Sequence, residues 1–140
     1  DQRALDPVTQ AAPPQDTRGG AFAFRGEPMP LTSPVLPQGT PEISRPDPTR
    51  LIAGAPEHRT WLTEDRDGLW CGVWQSTPGA WRVSYDEWEY FRLTHGLSIL
   101  TPDGGDPIHL RPGEAHVIRP GFSGIWQVVE TTTKDFVIRL

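Results

Sequence analysis

Tyr85, Glu87 and Glu89 alternate through the stretch Tyr85-Asp86-Glu87-Trp88-Glu89, the spacing that sets side chains on one face of a β-strand. A phenol and two carboxylates in one row could carry out proton transfer. From the usual rise per residue, the carboxylates would stand about 7 Å apart along the strand. In a dry pocket, close carboxylates have their proton affinities pushed apart, so one serves as acid and the other as base. Phe91 and Leu93 continue this face, while Asp86, Trp88, Tyr90 and Arg92 share the opposite one. The same residues also fit a structural role, with Glu89 held by Arg119 or a tyrosine as a buried pair and Glu87 at a wet mouth. If Arg119 faces inward, its planar fork could instead bind a substrate carboxylate. The catalytic candidates are thus Glu89, Glu87 and Tyr85. A ligand pocket would be built from Tyr85, Glu87, Glu89, Phe91, Arg119 and Trp126, with Trp74 and Trp81 as further aromatic walls. Core packing or subunit contact is the competing use of these tryptophans, because aromatic side chains dominate both kinds of surface.

The histidines do not assemble as readily. A divalent transition metal needs about three or four imidazole or carboxylate donors converging on one point. His58 lies in a proline-rich region, His95 at a strand end facing solvent, His109 in the return strand of a hairpin, and His116 between Ala115 and Val117. Only His116 together with Glu89 and Glu87 offers a cluster. No metal site is expected, and no cofactor; a divalent metal is the alternative. Cys71 is the single cysteine, so no intrachain disulfide can form and a reducing compartment fits. In the apolar run Leu69-Trp70-Cys71-Gly72-Val73-Trp74 it reads as a small core residue rather than a nucleophile.

The elements that must position these groups are strands. Leu69–Ser76 reads as one strand, ended by the turn Thr77-Pro78-Gly79. Arg82–Leu93 alternates with a period of two and is rich in aromatic side chains, which suits a pleated surface. Leu97–Thr101 and Pro107–Leu110 flank Asp103-Gly104-Gly105-Asp106, a strong hairpin signal because glycine accepts positive φ. Ala115–Ile118, Gly124–Glu130 and Lys134–Leu140 complete seven or eight short strands with no amphipathic helix. Such regular spacing predicts an antiparallel barrel or sandwich.

The chain has 140 residues, and its composition is uneven: eleven of its sixteen prolines fall in residues 1–60, and all six tryptophans fall after them. We read residues 1–20 as a mobile leader, because they have few large apolar groups to offset the entropy of ordering. Residues 21–60 form a proline-rich arm that packs on the barrel or on a neighbouring subunit. The prolines limit this arm to short or edge strands. Residues 61–140 form the barrel. The net charge of −5 has no basic stripe behind it, which argues against nucleic-acid binding. No apolar run approaches the roughly 18 residues of a membrane span. No basic segment followed by an apolar block opens the sequence, so a signal peptide is not expected and a cytoplasmic location is the default.

Two segments carry a family resemblance. Gly79–Gly96 and Gly113–Gly124 resemble the two cupin motifs, G(X)5HXH(X)3–4E(X)6G and G(X)5PXG(X)2H. Glu89 precedes Gly96 by the motif's spacing, Gly113-Glu114 stands where cupins have Gly-Asp, and Gly121 matches the glycine of PXG. More narrowly, Trp81, Tyr85 and Glu89, then Pro120–Trp126 and Lys134–Ile138, resemble the ureidoglycine-aminohydrolase-like group of single-domain cupins. The resemblance implies an all-β, RmlC-like antiparallel jelly-roll barrel behind the proline-rich arm, with Glu89 and its row pointing into the barrel. It also implies a manganese enzyme of purine breakdown, but the chain departs from the motifs where that chemistry resides. Val83 and Tyr85, or in the other register Arg82 and Ser84, stand at the histidine pair; Arg119 stands at the proline and Gly124 at the last histidine. The expected function is a small-molecule-binding cupin without the usual metal histidines. The alternatives are a metabolic enzyme of this group, acting on a small nitrogenous or carboxylated metabolite, and a non-catalytic dimeric scaffold. A homodimer is expected, because cupins commonly associate through sheet edges.

Overall fold

The computed structural model describes residues 30–34, 37 and 39–140. The expectations for the leader at 1–20 and for residues 21–29 of the arm lie outside the described residues. Nine strands are present among those described: β1 (Glu42–Ser44), β2 (Leu51–Gly54), β3 (His58–Arg66), β4 (Leu69–Ser76), β5 (Gly79–Ser84), β6 (Trp88–Pro102), β7 (Ile108–Leu110), β8 (Ala115–Ile118) and β9 (Ser123–Arg139). All pairings are antiparallel.

Two long strands organise the rest. β9 pairs with β5 through Ser123–Val128 and with β4 through Thr132–Arg139, while β6 runs beside it along both halves. One half of this ribbon is extended outward by β4, β3 and β1 on one side and β8 on the other. The other half is extended by β5 and β2, and by β7. The sheet is therefore folded across its long strands into the two facing layers of a jelly roll. The short strands from the proline-rich stretch, β1 and β2, occupy the two ends of the strand order, where missing ladder donors do least harm.

The fold line runs through Leu93–Ser98, where the β6–β9 register slips. Gly96 has φ of +90° there, and a Cβ at this position would collide with the carbonyl oxygen of Thr131, so the turn of the ribbon depends on a residue without a side chain. A buried polar chain ties the two sides of the bend. The Trp126 indole donates to Ser98 Oγ at 3.2 Å, Ser98 Oγ and Thr132 Oγ1 are 2.7 Å apart, and Thr132 Oγ1 donates to the Glu130 carbonyl at 2.8 Å.

The strand expectations hold with three revisions, the first being β3 (His58–Arg66), which none of the expected strands covers. Arg82–Leu93 is not continuous: the chain leaves the ladder after Ser84 and resumes at Trp88. Tyr85 keeps its alternation through this break, its N–H donating to the Phe122 carbonyl and its carbonyl accepting from Gly121 N–H. Conversely, the segments read as separate strands on either side of Thr94–Gly96 and of Thr131–Thr133 are continuous, forming β6 and β9. The core lies on the inner face of the curl and includes Trp74, Trp81, Val83, Phe91, Trp126, Phe136 and Ile138.

Candidate functional site

Antiparallel register partners point to the same face of a sheet, and this fixes the inner row. Glu89 lies opposite Ile138, Phe91 opposite Phe136 and Leu93 opposite Lys134. Tyr85, Glu87, Glu89, Phe91 and Leu93 are all buried, and Glu89 is completely so. On the other parity, Asp86, Tyr90 and Arg92 are exposed and Trp88 is half-buried.

The cation beside Glu89 is Lys134. Its Nζ stands 2.8 Å from Glu89 Oε2, with both side chains 0% exposed. The ammonium also lies 4.6 Å from the Trp126 ring centroid, 4.7 Å from that of Phe91 and 4.9 Å from that of Trp74. Three aromatic π-systems and one carboxylate thus surround it, the environment that offsets loss of water around a cation. The expected Glu89–Arg119 pair is corrected: Arg119 is exposed at the end of β8, where the turn to Phe122 carries it out of the interior. The signal that could have identified Lys134 is its parity with Phe136 and Ile138 in an apolar, alternating strand.

The remaining sequence candidates separate into two neighbourhoods. Trp126 and Phe91 touch at 5.5 Å between ring centroids, and both lie against Lys134. Tyr85 packs edge-on against Phe122 at 5.9 Å, and one Glu87 oxygen accepts the Asp86 N–H at 3.0 Å. Arg119 instead lines a pocket of about 360 Å³ with Leu100, Leu110, His116, Ile118 and Phe122 among its other walls. Phe91 connects the two places, since its ring is also 5.5 Å from that of His116.

His58 was expected in the arm but opens β3 and is fully buried between Trp74 and Trp81, with ring centroids at 5.4 and 4.7 Å and Nδ1 3.0 Å from Ser76 Oγ. His95 and His109 are exposed. Cys71 is half-buried, and burial raises its thiol pKa above the ordinary value, with the Glu64 carboxylate adding to the effect.

These donors do not fit a metal at the motif position. The one inherited carboxylate is engaged by Lys134, and the described residues contain no group of three or more His, Cys, Asp or Glu able to hold an ion. Gly124, which stands where the second motif has its histidine, lies opposite Pro102 across the ribbon. A Cβ at that position would collide with the Thr101 carbonyl oxygen and lie 3.1 Å from Pro102 Cα. In this backbone no histidine can be restored there without moving β6.

A jelly roll of two antiparallel layers, closed over a buried glutamate on its inner strand, defines the class as a cupin barrel. The chain belongs to the EutQ-like cupin domain family, whose model matches residues 63–136. Among solved structures, it is similar to a DUF861-family protein of unknown function from Pseudomonas syringae pv. tomato. That match has 24% identity and a TM-score of 0.63, covering 71% of this chain and 43% of that one. It is also similar to EutQ of Clostridium difficile, at 16% identity and a TM-score of 0.55, covering 60% of this chain and 63% of that one. A third, of the DUF1255 family from Acidithiobacillus ferrooxidans, is 18% identical with a TM-score of 0.52, covering 72% and 92% of the two chains. The chain therefore spans less than two thirds of the first two relatives, and at these identities the likeness is one of fold. No match was found among curated proteins. No described helix is long and apolar enough to cross a membrane.

Proposed function

We propose that this chain is a small-molecule-binding cupin that works without a metal at the position where the motif histidines ordinarily hold one. The observation that supports this best is the 2.8 Å contact between Lys134 Nζ and Glu89 Oε2, because the motif carboxylate already has a cationic partner. The pocket of about 360 Å³, mainly apolar with a few polar groups, has the character of a small-ligand site. In this reading Leu100, Leu110, Ile118 and Phe122 are the apolar walls of the pocket, and the fully buried Phe91, Trp126, Trp74 and Lys134–Glu89 pair are the packed interior behind it. A screen of small nitrogenous and carboxylated metabolites, read by tryptophan fluorescence with and without chelator, tests it. Saturable quenching that is indifferent to chelator is expected. Binding that appears only when a transition metal is added contradicts it.

A catalytic reading is favoured by one observation: Glu87 is only 6% exposed on the same face as Glu89 and Tyr85. The activity would belong to the ureidoglycine-aminohydrolase-like group suggested by the Trp81, Tyr85 and Glu89 spacing. Turnover that survives chelator but not Glu89→Gln would support it; turnover that needs added metal would not. A homodimer and a cytoplasmic location complete the proposal. Exposed Leu51 and Ile52 on the end strand β2 support the first, and the unpaired Cys71 supports the second. Light scattering that returns only monomer would remove the dimer.

A further inference from the structure

The pocket on the β7–β8 side has a chemical bias that names the class of ligand it suits. Four of its lining residues belong to the inner face: Ile118 lies opposite Glu89, His116 opposite Phe91, Leu110 opposite Ser98 and Ile108 opposite Leu100. Leu100, Leu110 and Ile118 are buried and form an apolar floor with Phe122. Among the described strands, β7 and β8 each pair only with β6, so the pocket opens between two strand edges.

Among the described residues, the only ionisable side chains in the lining are His116 and Arg119, and no carboxylate lines it. Arg119 makes no side-chain hydrogen bond or ion pair among the described residues. His116 Nε2 is buried with no hydrogen-bond partner, and its nearest carboxylate oxygen, Glu114 Oε1, is 3.9 Å away, beyond hydrogen-bonding distance. An unsatisfied buried ring nitrogen and an uncommitted guanidinium at the edge of an apolar hollow call for an acceptor, preferably an anionic one.

We propose that this pocket binds a small amphipathic carboxylate, its apolar body against Leu100, Leu110, Ile118 and Phe122 and its carboxylate held by Arg119 and His116. The proposal rests on the reading of the chain as a small-molecule-binding cupin and narrows it to one ligand class and one place. The Lys134–Glu89 pair is not the anion site, since its cation is already matched. Phe91, which touches both His116 and Lys134, would report occupancy of the pocket to the interior.

The test is an NMR titration of the ¹⁵N-labelled full chain with phenylacetate, with the uncharged isostere phenylacetamide, and with a mixed metabolite library. Phenylacetate should shift the resonances of residues 116–122 saturably. Phenylacetamide should bind about tenfold more weakly, the scale of one lost charge-assisted hydrogen bond. Arg119→Met should weaken phenylacetate by a similar factor and leave phenylacetamide unchanged; the exposed position keeps the variant folded. Equal binding of acid and amide, or indifference to Arg119→Met, would overturn the proposal. Saturable shifts at the Trp74 and Trp126 indoles with library compounds, and none at 116–122, would overturn it while leaving the broader reading standing. No saturable shift at either place would contradict both.

Discussion

Lys134 Nζ lies 2.8 Å from Glu89 Oε2 although the two residues are not cross-strand partners: Glu89 faces Ile138, and Lys134 faces Leu93. Two long side chains run toward each other along the inner face and meet beneath Phe91, Trp74 and Trp126. Burying either charge alone would be strongly unfavourable, so each residue makes the other tolerable.

Breaking this pair from one side should therefore be severe. Lys134→Met is expected to destabilise the fold by about 3–5 kcal/mol, the usual cost of stranding a buried charge. Lys134→Met/Glu89→Gln should lose clearly less than the sum of the two single variants. Urea unfolding followed by tryptophan fluorescence measures both, and strict additivity would mean the two charges do not interact.

Gly96 and Gly113 share nearly the same backbone angle, φ +90° and +89°, but only Gly96 faces a crowded wall; nothing lies within 4 Å of a Cβ at Gly113. Gly113→Ala should cost about 1 kcal/mol from the left-handed conformation alone. Gly96→Ala should cost several kcal/mol, because the fold line must open to clear Thr131. Equal melting temperatures for the two variants would refute the role given to the fold line.

Asp103 should titrate below the ordinary carboxylate value of 3.8, held down first by the hydrogen bond from Arg82 and then by that from Ser123. Because its folded pKa is depressed, its contribution to stability is complete above pH 3.8. That contribution is lost as the pH falls through the lower, folded value. It is a small contribution, since the pair is exposed and screened. A side-chain carbonyl NMR titration should find the depressed midpoint, and Arg82→Met should move it back up.

Cys71 should resist alkylation. Burial is the first cause holding its thiol above the ordinary value of 9.0, and Glu64 the second. At pH 8 it should react several-fold more slowly than the same cysteine in urea, because the thiolate is the nucleophile. The rate should keep rising beyond pH 9. A plateau below that pH would contradict the assigned environment.

The alternation from Tyr85 to Leu93 made the inner row legible, because period-two burial is a local property of the backbone and survives even the break after Ser84. The glycines and Glu89 likewise marked the barrel. The partner of Glu89 was not legible, since Lys134 reaches it only when β9 curls as one strand through Thr131–Thr133, a stretch that reads locally as a break. The outward turn of Arg119 is set by contacts between Tyr85 and residues 121–122, which no local pattern announces. Nor does the sequence explain why Gly124 lacks a side chain; that depends on how closely β6 passes behind it.

We propose that the buried Lys134–Glu89 pair occupies the barrel interior in place of a metal centre. Metal analysis by plasma mass spectrometry, on protein purified without added metal and again after incubation with Mn, Fe, Ni and Zn salts, tests it most directly. Well under one equivalent of any of them per chain is expected in both samples, unchanged by Glu89→Ala. One tightly held metal per chain that disappears on Glu89→Ala would contradict it.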